Sequence, residues 1–268
     1  MSYPIYQVDA FTSEIFKGNP AAVMPLETWL PDATLQALAA ENNVSETAFF
    51  VREADAGNPD FHIRWFTPEV EVPLCGHATL ASAWVIFHKL HWPAEHIRFH
   101  SQSGPLGVGR TSDDWLVLDF PNLRFEEQKT PEIISEALDG APRTAFYVPA
   151  DTNYMIVLEN EAAVLAAQPD MRKLMQLGNQ GLIVTAPGET ADFVSRYFAP
   201  GAGIDEDPVT GSIHSVLVPY WAEKLGKTRL DARQVSTRGG LLRCELKGNR
   251  VAIAGQAAFY MEGAVHMS

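Results

Sequence analysis

Three settings in this chain hold residues whose types and spacing could do chemistry. Glu46 opens the run ETAFFV inside VSETAFF, a carboxylate at the head of an otherwise apolar, strand-like stretch. Among apolar walls a glutamate has its pKa raised toward neutrality, where it can take a proton and return it. At an exposed strand end the same residue is simply solvated. Cys75 and Cys244 are the only thiols. A two-base racemase needs an acid and a base on opposite faces of one carbon. Cys75, in PLCGHAT, is a candidate for one of them, and Cys244, in LLRCELK, reads as a strand residue. A small buried apolar cysteine is the competing role for Cys75. The third setting is a pair of loops, TPEVEVPLCGHAT (67–79) and APGAGIDEDPVTGS (199–212), each passing through a glycine, Gly76 or Gly211, into a long apolar stretch. A helix beginning there leaves backbone N–H groups without partners at the positive end of its dipole. Two such ends would suit a carboxylate or other small anion; either glycine alone is explained by starting a helix.

The elements that must hold these groups repeat. FHIRWFTP (61–68) and FVSRYFAP (193–200) share F-x-x-R-aromatic-F-x-P, 132 positions apart. Around the first copy the alternation predicts strands over 3–11, 20–26, 45–51, 61–66, 96–101 and 114–120, with helices over 31–43 and from Gly76 to Leu90. Around the second it predicts strands over 153–159, 181–186 and 193–198, and helices over 169–178 and from Gly211 to Leu225. Both apolar helices span 14 positions from their glycines, so the chain reads as two copies of one βαββα-type unit. The polar, proline-bearing segment 121–132 is the expected boundary, giving domains 1–121 and 122–256. The closing stretch 257–268 is expected to return as a strand to the first domain.

Composition narrows the function. The formal charge of −13 and the lack of a basic block argue against nucleic acid. No apolar run is long enough for a membrane span, and two cysteines fit a reduced, cytoplasmic setting. His96 and His100 have a helical metal spacing, but HIRFH alternates like a strand, which gives them a surface or cross-strand role. GPLGVG (104–109) lacks the dinucleotide fingerprint and reads as a hairpin turn.

The blocks DAF (9–11), GNPAAV (18–23), SETAFF (45–50), RWFTPEVEVPLCGHAT (64–79) and EDPVTGS (206–212) together resemble the PhzF-like phenazine-biosynthesis isomerases, of the diaminopimelate epimerase superfamily. The resemblance implies an α+β fold of two pseudo-symmetric domains. Each would be a rolled, barrel-like sheet around a central α-helix, with an active site in the interdomain cleft and neither metal nor cofactor. It implies that Glu46 is the catalytic carboxylate, supported by His77 and Asp207. Gly76, Gly211 and Ser212 would bind the substrate's carboxylate. The second-half equivalent of Glu46 falls around Asn179–Gln180, without an acid, and that of Cys75 near Pro208 and Val209, without a thiol. The expected activity is therefore isomerisation of a small anionic metabolite by one carboxylate, on one face. The alternatives are a Cys75-dependent racemase or epimerase and a non-catalytic anion-binding protein, with self-association into a homodimer left open. STRGGLLR (236–243) matches the family's Q-G-x-x-x-G-R pattern only loosely, which leaves the substrate's identity open.

Overall fold

In the computed structural model, which describes residues 1–53, 60–138, 140 and 144–267, the two copies of the octapeptide lie on strands that occupy the same place in two units. In chain order the first elements are β1 (Ser2–Ala10), β2 (Asn19–Leu26), α1 (Asp32–Asn42), β3 (Glu46–Arg52), β4 (Phe61–Phe66) and β5 (Glu71–Val72). Next come α2 (Gly76–His88), β6 (His96–Ser101), β7 (Gly104–Arg110), β8 (Leu116–Pro121), β9 (Glu126–Gln128) and α3 (Glu132–Ala137). They are followed by β10 (Thr144–Val148), β11 (Asn153–Val157), α4 (Glu161–Ala166), α5 (Met171–Leu174), β12 (Leu182–Pro187) and β13 (Phe193–Ala199). The last are β14 (Ile204–Asp207), α6 (His214–Leu225), β15 (Arg229–Gln234), β16 (Gly240–Lys247), β17 (Arg250–Gly255) and β18 (Ala257–His266). Residues Met1–Phe120 with Ile253–Ser268 form the first unit and Pro121–Ala252 the second.

In the first unit β1 runs antiparallel to β2 and to β18. Strands β2 and β3 are parallel, and β3 and β4 antiparallel. Strand β4 is then antiparallel to β5 and parallel to β6, and β7 and β8 follow as an antiparallel meander. The second unit writes the same sentence with β10 to β16: antiparallel, parallel, antiparallel, then β13 against β14 and parallel to β15, then β16. Each sheet wraps one apolar helix. All of α2 except Trp84 and His88 is buried, and its alanines and serine let strands approach closely. Helix α6 is likewise buried from His214 to Val218. This is the α+β, two-fold repeated architecture, and it follows from helices apolar nearly all round that a sheet must cover.

The octapeptide has a physical reason to be written twice. Arg64 grips Glu71 with two parallel N–H···O bonds of 2.7 Å, and lies over the Phe66 ring. Arg196 grips Glu206 the same way, at 2.7 and 3.0 Å, over Phe198. In both copies the fork ties the strand to the loop that feeds the central helix, and only guanidinium has the planar pair of donors for it.

Several local expectations change. GPLGVG is strand β7, not a turn; the reversal lies at Gln102–Ser103, and Gly109 faces His96 where a Cβ would come within 3.0 Å of the imidazole. His96 and His100 are exposed on the outer face of β6, as the alternation implies. The stretch 199–212 contains β14, and regular α-helix starts at His214 after a tighter turn in which His214, Ser215 and Val216 donate three residues back. Helix 169–178 is only the single turn α5 followed by a 3₁₀ turn, while α3, α4, β9 and β10 had no readable periodicity. They are three to six residues long, too short for a pattern to stand out. Among the described residues no helix is long and apolar enough to cross a membrane.

Candidate active site

Three titratable side chains meet in the first unit. Glu46 starts β3, Cys75 precedes α2, and His77 sits in the first turn of α2; all three are buried, with Glu46 8% and His77 4% exposed. His77 Nε2 lies 3.1 Å from Glu46 Oε2, and its Nδ1 lies 3.5 Å from Cys75 Sγ. The ring N–H is not aimed at the glutamate oxygen, so both buried atoms keep unused hydrogen-bonding capacity. Glu46 and Cys75 approach opposite nitrogens of one imidazole. One ligand atom from each of the three lies within 4.8 Å of the others, close enough together to hold a metal ion as well. The arrangement suits proton exchange.

The motifs quoted above supply the supports. Asp9 accepts the Phe16 amide and so orders the loop between β1 and β2. Asn19, fully buried at the head of β2, contacts His77 Nδ1 at 3.2 Å and accepts from the Ser45 hydroxyl at 3.2 Å. Asn42 donates to Thr47. Gly76 is the first residue of α2. Burial works against a charged His77, but the charges of Cys75 and Glu46 outweigh it and raise the imidazole well above its ordinary value. Burial, with the Glu46 charge beside it, also raises the Cys75 thiol. A thiol kept protonated carries no charge to hold His77 protonated, so the Glu46 carboxylate is the standing cause of the histidine's shift.

The remaining expected residues lie along one stretch of the second unit. Asp207 ends β14, is buried, and accepts from the Thr210 hydroxyl. Gln234 on β15 donates to the Asp207 carbonyl at 2.8 Å and accepts the Thr210 amide at 2.8 Å, fixing the turn. The amides of Gly211 and Ser212 donate to no described residue.

Register locates the broken symmetry. Thr47 faces Phe66 across β3 and β4, and Leu182 faces Phe198 across β12 and β13. Matching Phe66 with Phe198 makes Gly181 the counterpart of Glu46, one residue beyond the expected Asn179–Gln180. The space a side chain would need there is taken by Tyr197, whose hydroxyl would lie 2.2 Å from a Cβ on Gly181. Burial, and the charges of Asp151 and Asp207, keep that phenol protonated, and it donates to Asn153. Matching Gly76 with Gly211 likewise puts Thr210, not Pro208 or Val209, opposite Cys75. The other thiol, Cys244, is buried in β16 and pushed up by burial and the Asp231 charge, so it is inert. Asn19, Thr210 and Gln234 were not singled out from sequence. Two of them sat inside quoted motifs, where a short polar residue flanked by glycine or proline in an apolar setting was the available signal.

With this geometry in view, the comparisons are specific. The family profile described as PhzC-PhzF, phenazine biosynthesis-like protein, matches residues 8–263. This chain belongs to the phenazine biosynthesis-like family. An uncharacterized isomerase of Pseudomonas aeruginosa is 49% identical to it over 267 residues, covering the whole of both chains. The solved structure of a PhzF-family phenazine biosynthesis protein from Enterococcus faecalis is 47% identical over the whole of both chains, with a TM-score of 0.93. A hydroxyproline epimerase from Agrobacterium vitis shares the fold alone, at 10% identity and TM-score 0.62 over 98% of this chain and 92% of its own. The diaminopimelate epimerase-like fold that the family resemblance implied is thus the fold of this PhzF-family chain.

His214 is the first residue of α6. It is fully buried, donates from Nδ1 to the Thr210 carbonyl at 2.9 Å, and leaves Nε2 unpartnered. Burial pushes it down to about 4. Unfolding restores its ordinary affinity for protons, so its contribution is complete above about pH 6.5 and is lost as pH falls toward 4. A gap of 6.5 − 4 = 2.5, at about 1.4 kcal/mol per pH unit, is roughly 3 kcal/mol. Urea melts from pH 7 to pH 4 should show that slope, and His214→Gln should flatten it.

Proposed function

We propose that this protein is a cofactor-independent isomerase of a small carboxylate-bearing metabolite, with Glu46 as its single acid–base group. The observation that supports this most is a buried carboxylate facing a buried imidazole at 3.1 Å, with both facing atoms lacking a well-aligned partner. Burying such atoms is costly, and a fold retains them where a reacting group will complete the bonding. In the proposed step the Glu46 carboxylate takes a proton from carbon, and the C–H electron pair moves into the adjacent π system. The carboxylic acid then returns the proton to a carbon further along the same face, so that a double bond shifts and no atom is gained or lost. His77 and Asp207 hydrogen-bond the substrate's polar groups. The amides at Gly76, Gly211 and Ser212 hold its carboxylate, a local device that overcomes the net charge of −13. That relatives such as the Pseudomonas protein are designated isomerases accords with this chemistry.

The experiment is a screen of small cyclic and α-amino carboxylates for deuterium uptake from solvent, since proton abstraction registers before any product is known. Exchange by the wild-type protein that survives in Glu46→Gln would overturn the reading. The racemase alternative is tested in the same assay. Cys75→Ala should stay within a few-fold of wild type, because the second unit offers a hydroxyl, Thr210, where a second thiol would stand. A thiol mechanism would instead lose about 10²–10⁴-fold.

A further inference from the structure

We infer that Asn19 is a positioning residue that decides which ring nitrogen of His77 carries the proton; its purpose rests on the acid–base reading of Glu46, though its geometry does not. The Asn19 carboxamide is fully buried and brings its Nδ2 to 3.2 Å from His77 Nδ1. An amide nitrogen only donates, so Nδ1 is the acceptor and the neutral ring carries its hydrogen on Nε2. That nitrogen is the one 3.1 Å from Glu46. From behind, the Ser45 hydroxyl donates to Asn19 Oδ1 at 3.2 Å and steadies the carboxamide. Ser45 adjoins Glu46 in sequence, so one short run of backbone carries both the carboxylate and the clamp on its partner.

Asn19 thereby also opposes a second proton on the ring, since an N–H at Nδ1 would meet another donor. Other ionisable groups on the elements packed against α2 are Tyr3, Tyr6 and Asp9 on β1, Glu46 and Arg52 on β3, and Tyr260, Glu262 and His266 on β18, with Cys75 preceding the helix itself. Of these, Glu46 and Cys75 act on the ring; Asp9 accepts from Phe16 and Glu262 pairs with Lys89. The net effect is a histidine that Glu46 pulls toward the charged form and Asn19 holds as one defined neutral tautomer. Such a group can offer its Nε2 hydrogen to the substrate's polar groups without rearranging its ring.

The test is a pH titration of the substrate-free protein, with nitrogen-15 in its histidines, followed by NMR; His77→Ala assigns the signal. The wild-type protein should show one neutral tautomer, protonated at Nε2. Asn19→Leu and, in part, Ser45→Ala should show a mixture of both. Asn19→Asp should raise the His77 midpoint by about 1–3 pH units, as a carboxylate this close does, and move the pH profile of deuterium exchange in the same direction. An unchanged tautomer in Asn19→Leu and Ser45→Ala, or an unmoved midpoint in Asn19→Asp, would overturn the assignment. Ser45→Ala keeps Asn19 in place and covers the case in which Asn19→Leu does not fold. These spectra need no turnover, so they stand even if Glu46→Gln exchanges normally and the isomerase reading fails.

Discussion

Glu46→Gln should slow exchange of substrate protons with solvent by about 10²–10⁴-fold, the usual worth of a positioned acid–base group, while ligand binding persists. Glutamine keeps the length and shape of the side chain and removes the basic oxygen. Strand β3 should be undisturbed, because residue 46 is held there by its backbone register against Ala21 of β2. Deuterium uptake by NMR gives the rate, and calorimetric titration with the same carboxylate gives the affinity. A variant that binds and does not exchange supports the single-carboxylate chemistry. Loss of binding with exchange per bound ligand intact would instead make Glu46 a binding residue, and exchange at the wild-type rate would remove it from the mechanism.

Gly18→Ala should be the costliest single methyl in the first unit. Gly18 has φ +61°, and a Cβ there would lie 2.1 Å from the Ala10 carbonyl oxygen and 2.7 Å from the Thr12 methyl. The left-handed conformation costs a non-glycine residue about 1–2 kcal/mol, and overpacking against backbone that cannot swing aside adds about 1–3 kcal/mol. A loss of roughly 2–5 kcal/mol is expected, read as a lower urea midpoint at unchanged slope. Because Asn19 is the next residue, the same variant should also blur the His77 tautomer. Stability within 1 kcal/mol of wild type would mean that the loop between β1 and β2 yields more easily than its contacts suggest.

Much of this architecture was legible because its signals are local. The octapeptide echo is carried by an arginine fork and a ring that both copies need, so each copy shows in eight residues of sequence. Glu46 stood out as a carboxylate at the head of an apolar run and Gly76 by its match with Gly211, while the role given to Glu46, and His77 altogether, came from the family resemblance. Asn19 was not, because its partner is 58 positions away and the hydrogen bond exists only once β2 lies against the start of α2. The equivalences of Gly181 with Glu46 and of Thr210 with Cys75 depend on strand register, which a one-residue slip in reading obscures. Strand β9, EEQ, carries no apolar residue at all, and its place is set by pairing with β10. The 3₁₀ entry to α6 was hidden because one apolar pattern runs through the turn and the helix alike.

The pairing of β18 with β1 has a consequence for how the protein is made. The first unit's opening strand is joined along nine positions, Ser2 to Ala10, by a strand that ends at His266. Synthesis at about 5–20 residues per second means that β1 waits roughly 7–30 s for that partner after residue 120 has been added. The second unit, a continuous run from Pro121 to Ala252, has no such wait. On the ribosome the chain's middle can therefore mature before its beginning, and β1 must be kept from pairing elsewhere until the last strand arrives.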